Sequence, residues 1–581
     1  MSRLAGPIHL VVAAILAGGS AAAQTAPSRV LVLDQQARSL TALALPSGRA
    51  EQTTALQGTP TTLLRTADGQ RLLVLDPGEG RDAGDKGFQA KTRAALTIVD
   101  GRTLAVRGRV ELGWGLVQPT MLSAGGDRLS VVGPGFQGRS PAESLAREVV
   151  TVDLAAGTLM SRIELPRRAT AFLATPDGRT AVVLSAREEP RKAPVLPAEL
   201  RFLDLTVGTV TATVPLEGDP RGPVLSPDGQ FLYLLDRGKP NDNPDKNVNG
   251  RLHVVSMATR AVQGVSDVGS KPRGLVLDDR GRQLFMLSDG TPIKGPANQQ
   301  RPGELRVIRG AAPAAPIAVP SSPERLEVSA DGAWLYVIST DALTKLTLPG
   351  LVASPPVPMP SIGLLDTMIS PDGRRLYAMF GDYFSTLDAA TGKSVESVRT
   401  GRTGKKMLLA LETGLQTETA RLNAENAARR DGRSYYSYTE YTLREPRGAM
   451  AIQPDGKAVY VLNSQTSDVT VMDAESGVLL EKIAAGGFVV KFMPTAGVAL
   501  VPSSATVHVV DLATRKKQAD VVTDSQGQFN QAELSPDSKV AVISGAGGVL
   551  VVDATSGKPV GTMKAFARVV EVITEWGGSS R

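Results

Sequence analysis

The stretch IQPDGKAVYVLNSQTSDVTVMDAESG, from Ile452 to Gly477, sets a turn, an apolar run, a polar loop, a second apolar run and another turn in close succession. Pro454, Asp455 and Gly456 form the first turn, because proline presets φ, aspartate bonds its own backbone and glycine tolerates positive φ. Ala458 to Leu462 carries β-branched and aromatic residues, Asn463 to Asp468 is polar, and Val469 to Met472 is a second run closed by Asp473. Two short runs across a polar loop read as an antiparallel hairpin. A lone hairpin is marginal in water, so the unit needs neighbours.

The neighbours are copies of itself. The turn returns at Ala67–Gly69, Pro176–Gly178, Pro227–Gly229, Asp279–Gly281, Ala330–Gly332, Pro371–Gly373 and Pro536–Ser538, with weaker forms at Gly126–Asp127 and Pro494–Gly497. The second run returns with a terminal aspartate at Asp100, Asp153, Asp204, Asp388, Asp511 and Asp553. The period is roughly 40 to 50 residues, that of a four-stranded propeller blade. Each repeat leaves room for a strand before the turn, as in Arg273–Asp279, and one after the aspartate, as in Lys393–Gly401. The expected fold is therefore all-β: a β-propeller of about ten or eleven four-stranded blades.

The combination of KPRG (Lys271–Gly274) or EPRG (Glu445–Gly448), a Pro-Asp-Gly turn, VYVLN (Val459–Asn463) or FLYLLD (Phe231–Asp236), and a Val-x-Val-x-Asp run resembles the YVTN-type β-propeller repeat family. The resemblance spans most of residues 29–560, interrupted near 402–446, and implies a fold rather than an activity, because propellers host binding proteins and enzymes alike. Some exported relatives look like lactonases or dehydrogenase subunits. The resemblance therefore carries, beside a binding or scaffold role, the alternative of a periplasmic enzyme with a small-molecule pocket at the channel mouth.

Composition fits this reading. The 581 residues include 59 Gly and 39 Pro, as turn-rich β structure requires, but only three Trp, against propellers whose blades are docked by repeated tryptophan. Arg3, the apolar stretch Ile8–Leu16 and the small residues Gly18–Gln24 form a secretory signal pattern, so residues 1–23 are expected to be removed and the protein to be periplasmic or secreted. That apolar core is too short to span a bilayer, and no later stretch is a transmembrane candidate. With no Cys, disulfides, thiolate sites and a lipidated N-terminal cysteine are excluded. Net charge is +6, or +5 without Arg3, with no basic stripe of the kind nucleic acid demands.

Catalytic and metal chemistry are thinly supplied. Beyond His9 in the signal there are only His253 and His508, at matching places in their repeats, which argues for a strand position over haem, copper, zinc or a Ser-His-Asp triad. One calcium pattern exists: Asp245, Asn247, Asn249 and Gly250 have the spacing in which alternate side chains converge on the ion. Its twelfth position is Ser256 where an acid is expected, and an Asn-Gly hairpin turn explains the same residues.

Loops carry more information. Five consecutive repeats have long insertions, Asp76–Arg93, Gly133–Arg147, Ser185–Ala198, Asp236–Gly250 and Ser288–Gly303, where two to five residues would do. In a propeller these open on the same rim as the connections between blades. One such connection, 402–446, is a partly helical insertion by its pattern and ends in SYYSYTEY, with Tyr435, Tyr436, Tyr438 and Tyr441. Arg221, Arg273 and Arg447 recur in PRG at the blade entrance, placed to hold a carboxylate or phosphate. The leading expectation is a non-catalytic protein whose rim, with these tyrosines and arginines, binds an envelope protein or glycan.

Repeat length falls after Ala330, and Leu348–Gly363 is rich in proline, so two packed propellers with a boundary near 350 are expected, residues 24–350 and 351–581, with one large ring as the alternative. The first run, Arg29–Asp34, begins partway through a blade, and Ala567–Trp576 can complete it.

Overall fold

The computed structural model describes residues 28–399 and 450–575, apart from 83–87, 134–147, 190–193, 278–282, 291–301, 359–363, 523–528, 554–557, 561–565 and interruptions of one to three residues. Ala458–Asn463 pairs antiparallel with Asp468–Asp473, in a register running from Ala458↔Asp473 to Asn463↔Asp468. Met450–Ile452 and Leu479–Ile483 flank this hairpin and complete a four-stranded meander. Among the described residues the same meander occurs eleven times, ten times with four strands and once with its last strand split in two. The blades are numbered here from blade 1, which holds Arg29–Asp34, to blade 11, which holds Gly548–Asp553; the Ile452–Gly477 hairpin lies in blade 9.

A blade of this size cannot bury its own faces, so each shares an apolar layer with the next. Leu31, Leu40 and Leu72 join blade 1 to blade 2, and Phe285, Leu305 and Val337 join blade 6 to blade 7. Tyr336 and Leu376 join blades 7 and 8, Tyr377, Tyr460 and Val501 run through blades 8 to 10, and Val30, Val542 and Val549 join blade 11 back to blade 1. Every seam of the ring is filled in this way. The expectation of two packed propellers is therefore corrected to one ring of eleven blades. The proline-rich run near 350 is no linker: it lies inside blade 7, between Ala342–Thr347 and the two-residue outer strand Val357–Pro358. Proline cannot donate to a ladder and belongs on a sheet edge, which is where it sits here.

The C-terminal strand Val569–Glu575 supplies the innermost strand of blade 1 by pairing with Arg29–Asp34. Glu575 is buried at this junction, with Arg29 Nε at 2.5 Å and Arg65 Nε of blade 2 at 2.9 Å. Arg29 also donates to the carbonyls of Gly101 and Arg102 in blade 2. Removing one partner of such a buried pair costs about 3–5 kcal/mol, so this cluster fixes both closure and register.

Tyrosine takes over the role of the missing tryptophans. Tyr233, Tyr336, Tyr377 and Tyr460 hold the same place in the second strands of blades 5, 7, 8 and 9 and are fully buried. Tyr233 donates to Gly310 O at 3.0 Å and Tyr377 to Ala474 O at 2.8 Å, each reaching the following blade. Burial pushes the Tyr460 hydroxyl up to about 12.

Candidate functional site

The antiparallel order sorts the connections onto two rims. Turns between first and second strands, and between third and fourth, share one rim; connections between second and third strands, and between blades, share the other.

The turn rim is uniform. The hydroxyls of Ser226 and Ser370 donate to Asp228 and Asp372 at 2.5 and 2.6 Å and hold those carboxyls below the usual range. At the ends of third strands the Val207 N–H does the same for Asp204, the Thr391 hydroxyl for Asp388 and the Thr514 N–H for Asp511. Carboxylates with displaced acidity often mark catalytic centres. Here they lock turns one blade at a time, with backbone N–H groups two or three residues on as partners.

The other rim is elaborated on blades 2–6. In blade 2 the strands Gly80–Asp82 and Phe88–Ala90 form an extra hairpin above the sheet. In blades 4 and 5 the loops are drawn into hairpins by the pairs Glu188↔Leu196 and Lys239↔Val248, the second loop turning through the 3-10 segment Pro244–Lys246. Val195, Leu196 and Val248 are exposed on them.

Arginine–carboxylate pairs stand at the strand ends below these loops, and one arginine clamps a loop directly. Arg167, between blades 3 and 4, donates to Ala186 O and Pro197 O, both at 2.6 Å, clamping the two ends of the blade 4 loop. It also lies 3.4 Å from Glu199, which Arg201 meets at 2.5 Å. Blade 6 repeats the arrangement with Glu304 and Arg306 at 2.7 Å, and in blade 3 Arg162 meets Glu148 at 2.5 Å. Beneath the blade 5 loop, Asp236 accepts from the N–H groups of Gly238 and Asp219 at 3.0 and 3.3 Å. Gly218, at φ 72°, passes so close that a Cβ there would stand 1.9 Å from Asp236 Oδ2.

Arg221 and Arg273 lie on this rim, in neighbouring blades, where each finds a carboxylate: Asp219 at 2.6 Å and Asp289 at 3.2 Å, the latter shared with Lys271 at 3.5 Å. Arg447, the four tyrosines Tyr435, Tyr436, Tyr438 and Tyr441, and the whole of 402–446 lie outside the described residues, as do 1–27. In the calcium pattern, Asn247 and Asn249 are brought together by a 2.6 Å bond; Asn249 donates to Asp267, and Asn247 Oδ1 accepts from Ser270 and the Asn241 N–H. These are the bonds of a closed hairpin loop, in which the two asparagines hold each other and the strand beside them. Among the described residues no three His, Asp or Glu side chains are grouped to hold a metal ion, and no helix is long and apolar enough to cross a membrane.

Sequence reasoning missed the loop clamp and the pairs beside it. The pairs left one local signal, the recurrence of Glu-Leu-Arg at Glu199–Arg201 and Glu304–Arg306, at the same place in third strands. Arg167 acts across sequence distances of 19 and 30 residues and left no such trace.

No family model matches the chain, and no curated protein matches it. Solved structures do. A structure titled Kuenenia stuttgartiensis hydrazine synthase aligns at 18% identity and TM-score 0.29, over 59% of this chain and 96% of that one. Dihydro-heme d1 dehydrogenase NirN in complex with DHE aligns at 14% and 0.32, over 74% and 72%. The β-propeller domain of Cps50 (Swd1) from Myceliophteria thermophila aligns at 15% and 0.28, over 58% and 95%. At these scores none bears on the activity of this chain, and the propeller stands on its own sheets and seams.

Proposed function

We propose that this chain is an exported, non-catalytic β-propeller that holds a protein or glycan of the cell envelope on its long-loop rim. The observation that carries the reading is the concentration of long second-to-third connections on five consecutive blades at one rim, with the blade 4 and 5 loops drawn together by paired residues and the blade 4 loop clamped at its base by Arg167. Loops anchored to a rigid sheet are the usual seat of recognition, since the scaffold fixes their position while their sequence stays free. Arg221, Arg273 and Arg447 supply polar anchors in this reading, and Tyr435, Tyr436, Tyr438 and Tyr441, from the insertion between blades 8 and 9, supply aromatic ones. Export follows from the signal pattern in residues 1–23.

The test replaces Ala186–Pro197 and Arg237–Gly250 together by two-residue turns and compares capture from native envelope extract with that by the unaltered protein. A defined partner held by the full-length chain and lost by the folded variant supports the reading. Equal recovery of the same partner from both contradicts it.

A further inference from the structure

His253 and His508 stand at the same position of the third strand in blades 5 and 10, yet they are treated differently. His508 Nδ1 lies 2.6 Å from Asp520, whose other oxygen takes Lys517 at 2.8 Å. His253 is wholly buried, and neither ring nitrogen has a hydrogen-bond partner. Its strand neighbours Leu252 and Val254 pack into the seam with blade 6, so by strand alternation its ring faces the seam with blade 4. There it lies across from Leu234 and Val265 of its own sheet.

A buried imidazole without an acceptor is stable only when neutral. Burial lowers its proton affinity, and three charged groups act on it: Asp236 from the second strand and Glu217 from the blade 4 to 5 connection favour a proton, while Arg251 on its own strand opposes one. Both carboxylates already have work on the rim. Asp236 holds the N–H groups of Gly238 and Asp219, and Glu217 holds Arg251 at 2.8 Å.

We propose that His253 is an acid-sensitive trigger for the blade 5 rim: a proton on its ring draws Asp236 from the N–H groups of Asp219 and Gly238, and Glu217 from Arg251, and so releases residues 217–220 and 237–241. The sign follows from linkage. With its folded affinity below the ordinary 6.5, the open state binds the proton better, so the closed rim is fully favoured above pH 6.5 and loses ground as pH falls below it. The trigger concerns the conformation of the rim and stands apart from what the rim binds.

Hydrogen exchange of the full chain at pH 7.5 and 5.5, corrected for the intrinsic rate, tests this. The amides of Asp219 and Gly238 are expected to exchange faster at the lower pH, by at most about tenfold, the ceiling for an imidazole that titrates at its ordinary 6.5 in the open rim and takes no proton in the closed one. His253→Leu should abolish the step, and His508→Asn should leave it in place. An unchanged step in folded His253→Leu, or no step in the unaltered protein, overturns the proposal. If His253→Leu does not fold, the imidazole resonance of His253 in the unaltered chain decides: its titration must share a midpoint with the exchange step, and a separate midpoint refutes the link.

Discussion

Blades 2–6 and blades 7–11 follow one strand plan and differ in what joins the strands. The connection between second and third strands takes 12 to 17 residues in blades 2–6 and two to four in blades 7–11. The seams differ in part. Tyr336, Tyr377 and Tyr460 seal blades 7 to 9, with Tyr233 the counterpart in blade 5, whereas blades 2 to 4 have Leu73, Ser130 and Val182 at that place, and arginine–carboxylate pairs stand on the rim of blades 3 and 4. Closure of the ring depends on strands and seams, which repeat, while loop length costs little to vary. One half of a closed ring can thus be elaborated as a working rim while the other keeps to economy.

The sharpest way to break the comparison is to attack an aromatic seam. Tyr377→Ala should lose about 3–5 kcal/mol in urea unfolding, and Tyr377→Phe, which gives up only the bond to Ala474 O, about 1 kcal/mol. A small loss for the alanine variant would mean that the seams of blades 7–9 are not what holds that half. Next in size is Gly218→Ala, expected to lose about 3 kcal/mol because strain at positive φ adds to the clash with Asp236. Gly456→Ala, at φ 73° with open space around the new methyl, should lose about 1–2 kcal/mol. Similar losses at the two sites would show that the rim beneath the blade 5 loop is no more tightly built than an ordinary turn.

Arg167→Met should leave global stability within about 1–2 kcal/mol of the original. It should nonetheless speed amide exchange at Glu188 and Leu196, whose mutual bonds depend on the clamped loop ends. The smallest contrast is expected in acid. Asp204, Asp228, Asp372, Asp388 and Asp511 are held below their ordinary 3.8 by turn hydroxyls and N–H groups, so their contribution is present above about pH 4 and is lost as pH falls below it. Because these turns occur in both halves, acid unfolding below pH 4 should expose the two together; unfolding of one half first would break the uniformity of the turn rim.

The repeat was legible because turns and strands are local: Ser226 to Gln230 or Asp204 to Val207 carry their own instructions within a few residues. Closure was legible as well, since Arg29–Asp34 lacked an inner neighbour and Val569–Glu575 lacked a sheet. Ring number was not. The shortening of the repeat after Ala330 reflects loops alone, and the outer strand of blade 7, Val357–Pro358, is so short and proline-bound that Leu348–Gly363 reads as a boundary. The rim was legible in outline, through insertion lengths, but its tethers join residues far apart in the chain, as Arg167 does to Ala186 and Pro197, and pairing of that kind leaves no spacing to read.

All of this rests on a single closed ring, which alone puts the long loops on one continuous rim. The chain has no cysteine, so a pair can be introduced cleanly at Val32 and Val572, which face each other across the closing strands. Directly opposed residues in an antiparallel pair have Cα atoms about 4.5–5.5 Å apart, within reach of a disulfide. Val32→Cys with Val572→Cys should oxidise to an intramolecular disulfide in a monomer, without loss of fold. Two free thiols, or a bond found only between molecules, would contradict the eleven-blade ring.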